Sequence, residues 1–517
     1  MIPKPPFASS LTLSDELTRF EQLKPKLARV WELLTARDEE SYTSVVVPSL
    51  TLDQGELEKL EAATYYEERL LFLLIRLRNP RAHLVYVTSN PIHPQILEYY
   101  LNLLAGIPAS HARQRLTMLC AHDSSNRSLT EKILERPRLI ERIRRAIHDN
   151  ERAFLTVFNA TPLERKLAVL LDIPLNGCDP ELSALGDKSN GKTIFREAGV
   201  PTPAGFEHLT GESDVTDALV DLDRLRPGIA RAVVKLNRSF SGEGNAIFRY
   251  PAHRDRSAIT DALASLRYVG PDEHRSRYFT KFAAMGGIVE EHVEASELTS
   301  PSVQLRNDPQ GGVMVLSSHD QILDDSGHIF LGCRFPANDE YRLALQAAAY
   351  RVGEVLARRG VVSRYAVDFM AARNGPDQPW SLSALEINLR MGGTTHPFLA
   401  LSFLTGGVFD VPSGQFLSLS GRHKCYRATD NVHSARYRGL LPEDLIEILT
   451  DNKLHYDGRT ESGVLFHLIG ALSQYGKLGL TAIADTHDAA DRLYERTLDI
   501  LDAETVYGST ATGTSVD

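Results

Sequence analysis

Cysteine is scarce: four residues in 517, at Cys120, Cys178, Cys333 and Cys425, and no two of them form a C-x-x-C pair. That spacing excludes a disulfide framework and a cysteine-based zinc cluster, and suits thiols in a reducing compartment. Long apolar runs are missing too. The longest, over 70–75, is far short of the roughly 20 residues that span a bilayer. No excess of basic charge is present; the net charge of −10 removes the broad cationic face that nucleic acid or anionic lipid would require. The α/β part of the chain lacks a G-x-G-x-x-G fingerprint, and no G-K-[ST] follows the later glycine loop, so neither a dinucleotide fold nor a Walker A site is expected. Residues 1–13 hold Pro3, Pro5 and Pro6 and no apolar core, unlike a signal peptide. There are no internal repeats. These absences together predict a cytoplasmic protein.

What remains is an ordinary globular composition, 43% hydrophobic and 24% charged, in a chain long enough for about two to four domains. Up to about residue 80 the sequence reads as charged and helical, with Leu57, Leu60, Leu70, Leu71 and Leu74 at helical spacing. Strands are expected over 83–88, 115–120 and 153–158. They alternate with a helix through Ile96 to Gly106 and helices over 129–148 and 162–171, a pattern that predicts a parallel α/β layer. A helix through Lys188, Lys192 and Phe195 closes at Gly199 with Pro201 and Pro203 just beyond, a firm stop. Strands over 232–236 and 246–249 flank a small-residue loop, and 287–293, 313–317 and 328–330 read as further strands before a helix over 341–359. A distinct tail domain is expected after 414–421, with helices over 464–473 and 488–501 around a strand at 478–483. The Ser/Thr/Gly-rich stretch 503–517 is expected to be disordered.

The most informative stretch is Tyr-Ala-Val-Asp-Phe-Met at 365–370 followed by Ser-Ala-Leu-Glu-Ile-Asn-Leu-Arg at 383–390. Both read as buried strands joined through a polar turn, hence a hairpin. Strand side chains repeat with period two, so Glu386 and Asn388 share a face that Asp368 can reach from the partner strand. Three converging oxygen ligands suit a hard cation such as Mg²⁺. Alternatively, these are two plain strands with polar residues at exposed edges. Arg390 lies two beyond Asn388 on the same face, and its guanidinium suits carboxylate or phosphate oxygens. The amides and hydroxyls of Gly392, Gly393, Thr394 and Thr395 are placed to line a reacting centre there.

Upstream, Ser239, Ser241, Gly242, Glu243, Gly244 and Asn245 make a loop whose amides can approach an anion, with Lys235 at the end of the preceding strand; a simple hairpin turn is the plainer reading. Lys188 at a helix start makes sense with an anion nearby, or as a surface lysine. The segment Glu290, Glu291, His292, Val293 can offer backbone groups to a purine edge, with Glu297 on the ribose hydroxyls, or it is an edge strand with solvated acids. His292 and His396 read as packing or hydrogen-bonding histidines.

In order and spacing, these parts resemble the ATP-grasp superfamily over about 185–397: Asp-Lys before a helix ending in Gly-Val-Pro-Thr-Pro, Val-Val-Lys before the glycine loop, Glu-Glu-x-Val with a later Glu, then Val-Asp-Phe and Glu-Ile-Asn-x-Arg. The run Glu-Ile-Asn-Leu-Arg-Met-Gly-Gly-Thr-Thr-His-Pro, with Tyr-Tyr-Leu at 99–101 and the tail around 463–479, is similar to the pheganomycin-type peptide ligases. The resemblance implies an α/β and α+β architecture. An N-terminal helical segment and parallel α/β (pre-ATP-grasp) domain fills 1–180, a two-lobed ATP-grasp domain 181–425, a small C-terminal α+β domain 426–502 and a disordered tail 503–517. It implies ATP on Lys188, Lys235, the loop from Ser239 to Asn245, Glu290 to Val293 and Glu297, and Mg²⁺ on Asp368, Glu386 and Asn388. D-alanine–D-alanine ligases carry an arginine two residues before the metal aspartate; here Ala366 stands there and Arg364 lies two further back. Arg364 and Arg390 therefore both remain candidates to face the transferred phosphoryl group. The implied activity is an ATP-dependent ligase that makes an acyl phosphate and joins it to an amine, releasing ADP and phosphate. An ATP-grasp kinase and a non-catalytic nucleotide-binding regulator are the alternatives. The implied partners are a small carboxylate such as an amino acid and an amine or peptide acceptor, with no nucleic acid and no membrane; a homodimer is the assembly considered.

Overall fold

The computed structural model describes residues 11–36, 40–104, 106–239, 242–270, 273–324, 327 and 329–510. Three sheets organise the chain. The first is parallel, in the order Leu116–Cys120, Ala82–Thr88, Tyr42–Val47, Ala153–Val157, Leu175–Asn176. Its central strand, Tyr42–Val47, lies in the region expected to be helical. The reason is local: Val45, Val46 and Val47 are β-branched and wholly buried, and a strand covered on both faces shows a continuous apolar run without alternation. The helical expectation rests on leucines that follow this strand, and of these Leu57, Leu70, Leu71 and Leu74 do lie in helical turns, over Gln54–Lys59 and Ala63–Arg78, while Leu60 is extended. The helix expected over 129–148 is two, Leu129–Leu134 and Pro137–Ala146, because Pro137 lacks the N–H an unbroken helix needs.

The second sheet is antiparallel, in the order Gly205–Leu209, Gly287–Glu291, Arg231–Leu236, Asn245–Arg249, Arg267–Tyr268. Val215, Leu219 and Leu222 of the helix Glu212–Leu225 pack on it with Tyr278 and Phe282.

The third sheet has eight antiparallel strands, in the order Ser381–Asn388, Ser363–Arg373, Glu297–Asn307, Val313–Leu323, Phe330–Phe335, Cys425–His433, Lys477–Ala484, Gly463–His467. The C-terminal segment, expected as a separate unit, thus continues this sheet: Cys333 pairs with Ala428 across the join. The helix expected over 464–473 is the strand Gly463–His467 followed by short turns at Ile469–Ala471 and Leu472–Tyr475. Gly-Val-Leu-Phe-His is buried throughout and pairs with Lys477–Ala484, so tertiary pairing overrides an apolar run that fits a helix equally well. Residues 503–510 belong to the helix His487–Thr510; the rest of the expected disordered tail, 511–517, lies outside the described residues.

The two ends of the chain share a core. Leu71, Leu74 and Leu84 pack in one cluster with Leu445, Phe466, Leu480 and Leu501. The Tyr-Tyr-Leu motif acts there: Tyr100 donates to the carbonyl of Phe466 at 3.2 Å, and the Phe466 N–H donates to the Tyr99 hydroxyl at 3.1 Å. No helix among the described residues is long and apolar enough to cross a membrane. Leu480 is wholly buried in the shared cluster. Leu480→Ala is expected to cost about 2–5 kcal/mol, and equilibrium urea unfolding should show the N-terminal and C-terminal segments losing structure in one shifted transition.

Candidate active site

Register builds the site. Along one face of the third sheet, Ser302 stands opposite Asp368 and Asp368 opposite Glu386; one repeat on come Gln304, Ala366 and Asn388; a further repeat on, Arg306 stands opposite Arg364. Period-two alternation puts every second residue on this face while Val303, Leu305, Val367 and Ile387 anchor the other. Asp368 Oδ1 accepts from Ser302 Oγ at 2.6 Å and Gln321 Nε2 at 3.1 Å, and Oδ2 accepts from Asn388 Nδ2 at 2.9 Å. Burial, and then the neighbouring Glu386 carboxylate, push the Asp368 carboxyl up to about 6. Two carboxylates and an amide held together inside the protein form an anionic oxygen cluster whose repulsion a hard cation would relieve.

The cations of the cleft come from other elements. Lys188 opens the helix Lys188–Glu197; its buried ammonium lies 3.5 Å from Glu386 Oε1 and donates to Ser239 Oγ at 3.3 Å. It thereby links the carboxylate row to the glycine loop. Lys235, on the strand Arg231–Leu236, pairs with Glu290 Oε1, and Lys192 pairs with Glu290 Oε2 at 2.8 Å. Burial alone would raise the Glu290 carboxyl; Lys235 and Lys192 instead hold it down at about 2.

In the glycine loop, Gly242 takes φ +79°, and a Cβ on Gly244 would lie 2.4 Å from Ser239 Cβ, so both positions need glycine. Ser241 lies outside the described residues. Asn245 opens the next strand opposite Lys235, and its buried Oδ1 has no hydrogen-bond partner. Glu243 faces the N-terminal segment, pairing with Lys59 Nζ at 2.8 Å.

Of the proposed purine strand, Glu290 reaches the lysines, whereas Glu291 does not join them. Its N–H donates to the Ala204 carbonyl at 2.8 Å, and its carboxylate accepts from the Ala204 N–H and from Arg226. The His292 N–H donates to the Arg231 carbonyl at 3.2 Å, and Val293 follows the strand end. Glu297 begins the strand that carries Ser302 and pairs with Arg373 at 2.7 Å.

Arg390 reaches back to the carboxylate row, donating from Nη2 to Asn388 Oδ1 at 3.1 Å. Arg364 instead lies beside Arg306 and Arg76, and burial, with those two cations, lowers it to about 9. In the turn after Arg390, the Gly392 N–H donates to Thr395 Oγ1 at 3.0 Å, Thr395 Oγ1 donates to Gln304 Oε1 at 3.0 Å, and the Thr394 carbonyl accepts from Gln304 Nε2 at 2.6 Å. A Cβ on Gly393 would lie 2.7 Å from the Phe330 ring. This turn is thus internally clamped, and the Met391 N–H ties it to the Phe158 carbonyl at 3.1 Å. His396 is buried against His467 (2.9 Å) and Asp430 (3.1 Å), which fixes the following helix to the C-terminal strands. Ser302, Gln304, Arg306, Gln321 and Lys192 were missed in the sequence. The first three had a signal, the polar alternation Ser-x-Gln-x-Arg in a run whose intervening residues are apolar.

An antiparallel sheet carrying a carboxylate row, a second sheet carrying lysines and a glycine loop, and a parallel layer ahead of both define an ATP-grasp protein. Comparison with known proteins agrees. Residues 273–412 match the family described as IQCH-like, ATP-grasp, and residues 444–497 match the PGM1 C-terminal domain. Over 457 residues the chain is 31% identical to the L-propargylglycine–L-glutamate ligase of Streptantibioticus cattleyicolor, covering 87% of this chain and 92% of that protein. Over 418 residues it is 24% identical to IQ motif-containing protein H of Danio rerio, covering 71% of this chain and 39% of that one. An ADP complex of N5-carboxyaminoimidazole ribonucleotide synthetase superposes with a TM-score of 0.50 at 14% identity, covering 90% of this chain and 97% of that one. A biotin carboxylase from Campylobacter jejuni superposes at 0.52 and 14% identity, covering 87% and 89%. The chain belongs to the ATP-grasp carboxylate–amine ligases, within the family of pheganomycin-type ligases. It is an ATP-dependent ligase.

Two expectations follow. A carboxyl raised from 3.8 to about 6 in the fold makes the metal-free protein lose stability as pH rises across that interval, while cation binding needs the ionised form. The rise in melting temperature produced by Mg²⁺ with AMPPNP should therefore shrink as pH falls through about 6, and Asp368→Asn should remove that pH dependence. Glu290, depressed from 4.5 to about 2, contributes stability that is present above pH 4.5 and is lost as pH falls toward 2. Glu290→Gln leaves the buried Lys192 and the half-buried Lys235 without their partner and should cost about 3–5 kcal/mol in urea unfolding.

Proposed function

We propose that the protein joins an amino acid or similar small carboxylate to an amine, with a peptide or a second amino acid as acceptor. ATP is converted to ADP and phosphate in the process. The observation that carries this reading is the row of Asp368, Glu386 and Asn388 set by strand register, with Lys188 bridging from Glu386 to the glycine loop. That row has the donor chemistry for Mg²⁺, which when bound would neutralise phosphate charge. A substrate carboxylate oxygen attacks the γ-phosphorus, and the bond to the β-phosphate oxygen breaks. Lys188, Lys235 and Arg390 offset the charge that develops as ADP leaves. The amine nitrogen then attacks the acyl carbon, loses its proton, and inorganic phosphate departs with the former carboxylate oxygen. Ser239 and the glycine-loop residues Gly242 to Asn245 help exclude water from the acyl phosphate. The relative whose name is a propargylglycine–glutamate ligase supports amino acids on both sides of the new bond. It also supports a place in natural-product assembly, and the four free cysteines support a cytoplasmic setting.

Labelled carboxylate tests the chemistry. With ¹⁸O in the acid, inorganic phosphate must carry label; release of no labelled phosphate, with the phosphoryl group found on an alcohol, favours the kinase alternative. Lys235→Ala and Glu386→Gln should each slow ADP release a few hundredfold, about 3–4 kcal/mol of transition-state stabilisation. Near-normal turnover in either variant contradicts the assigned roles.

A further inference from the structure

Where the C-terminal ends of the strands Ala153–Val157 and Leu175–Asn176 meet the third sheet, a small cavity of about 20 Å³ is lined by Asn159, Asn176, Arg306, Ser363, Arg364 and Arg390. The carboxyl ends of a parallel sheet are where α/β layers place ligands. Arg306 and Arg364 are direct cross-strand neighbours, a like-charge pair that is destabilising unless an anion lies between them. Arg306 is 8% exposed; it donates from Nη2 to Asn176 Oδ1 at 2.8 Å, its guanidinium lies 4.3 Å from the centre of the Trp31 ring, and its Nε is buried without a partner. Arg364 Nη1 is likewise buried without a partner, and among the described residues no carboxylate pairs with either guanidinium. Arg76 adds a third buried cation, held by Ser44 Oγ at 2.5 Å and Thr156 Oγ1 at 3.3 Å. Buried guanidinium groups persist only with an acceptor for their hydrogens, and a planar carboxylate fits their fork.

We propose that Arg306 and Arg364 anchor a substrate carboxylate other than the one that is phosphorylated. This rests on the ligase reading above. Arg364 lies four residues from Asp368 on the same face of one strand, about 13 Å between backbones. The substrate class is therefore a pair of reactants with two carboxylates, one activated on the Asp368 row and one held on the arginine row. The second belongs either to a dicarboxylic donor or to an amino-acid acceptor with a free α-carboxylate.

The test uses the full chain with Mg²⁺ and AMPPNP and two probe pairs, glutarate against valerate and L-alanine against L-alaninamide, with binding measured by calorimetry. In at least one pair, the probe with the additional carboxylate should bind about tenfold tighter or more. Arg364→Met and Arg306→Met should each erase that preference while AMPPNP binding is unchanged, and Arg364→Lys should retain part of it if the methionine variant does not fold. The pair that shows the preference identifies the source of the carboxylate. The proposal is overturned if neither pair is distinguished, or if the preference survives in both methionine variants. Hydroxylamine capture of the acyl phosphate separates the two readings. Hydroxamate formed equally from glutarate and valerate, with no preference in either pair, keeps the ligase and removes the anchor. Preference for the additional carboxylate without hydroxamate or phosphate release from any acid keeps the anchor and removes the ligase.

Discussion

The site depends on one constraint, the antiparallel register that sets Asp368 directly between Ser302 and Glu386. A one-residue slip in either ladder would turn those side chains to the opposite, buried face. That slip is opposed by Val303, Leu305, Val367, Phe369 and Ile387, which fill the core behind the sheet. Apolar packing on one face therefore fixes charge geometry on the other. The same ladders place Gln304 beneath the turn after Arg390 and Arg306 beside Arg364, so metal row, turn and arginine row are parts of a single lattice.

The second sheet works differently. Glu290 on its strand is shared by Lys235 of the neighbouring strand and Lys192 of the helix Lys188–Glu197, while Lys188 at the start of that helix reaches Glu386 of the third sheet. A lysine-bearing wall thus faces a carboxylate-bearing one across the cleft. The glycine loop joins this arrangement at Ser239 and is tied to the N-terminal segment through Glu243 and Lys59.

Residues close in sequence were the legible ones. Glu386 and Asn388 share a face by strand period alone, and Lys188 and Lys235 announced themselves by position at a helix start and a strand end. The ion pairs of Glu290 are not legible, because its two lysine partners lie on other elements, a distance that no local pattern encodes. Tyr42–Val47 is masked by the helically spaced leucines that follow it, and Gly463–His467 by an apolar run whose strand identity comes from pairing with Lys477–Ala484. The arginine row was half visible: Arg364 and Arg390 drew notice, while Arg306 entered only when register brought it opposite Arg364.

A crystal structure of the full chain with Mg²⁺ and AMPPNP tests the central claim most directly. The account predicts a metal ion bridging oxygens of Asp368, Glu386 and Asn388 to the nucleotide phosphates, with Lys188 and Lys235 on those phosphates beneath the glycine loop. Nucleotide bound elsewhere, or a metal held without Asp368 and Glu386, would contradict it.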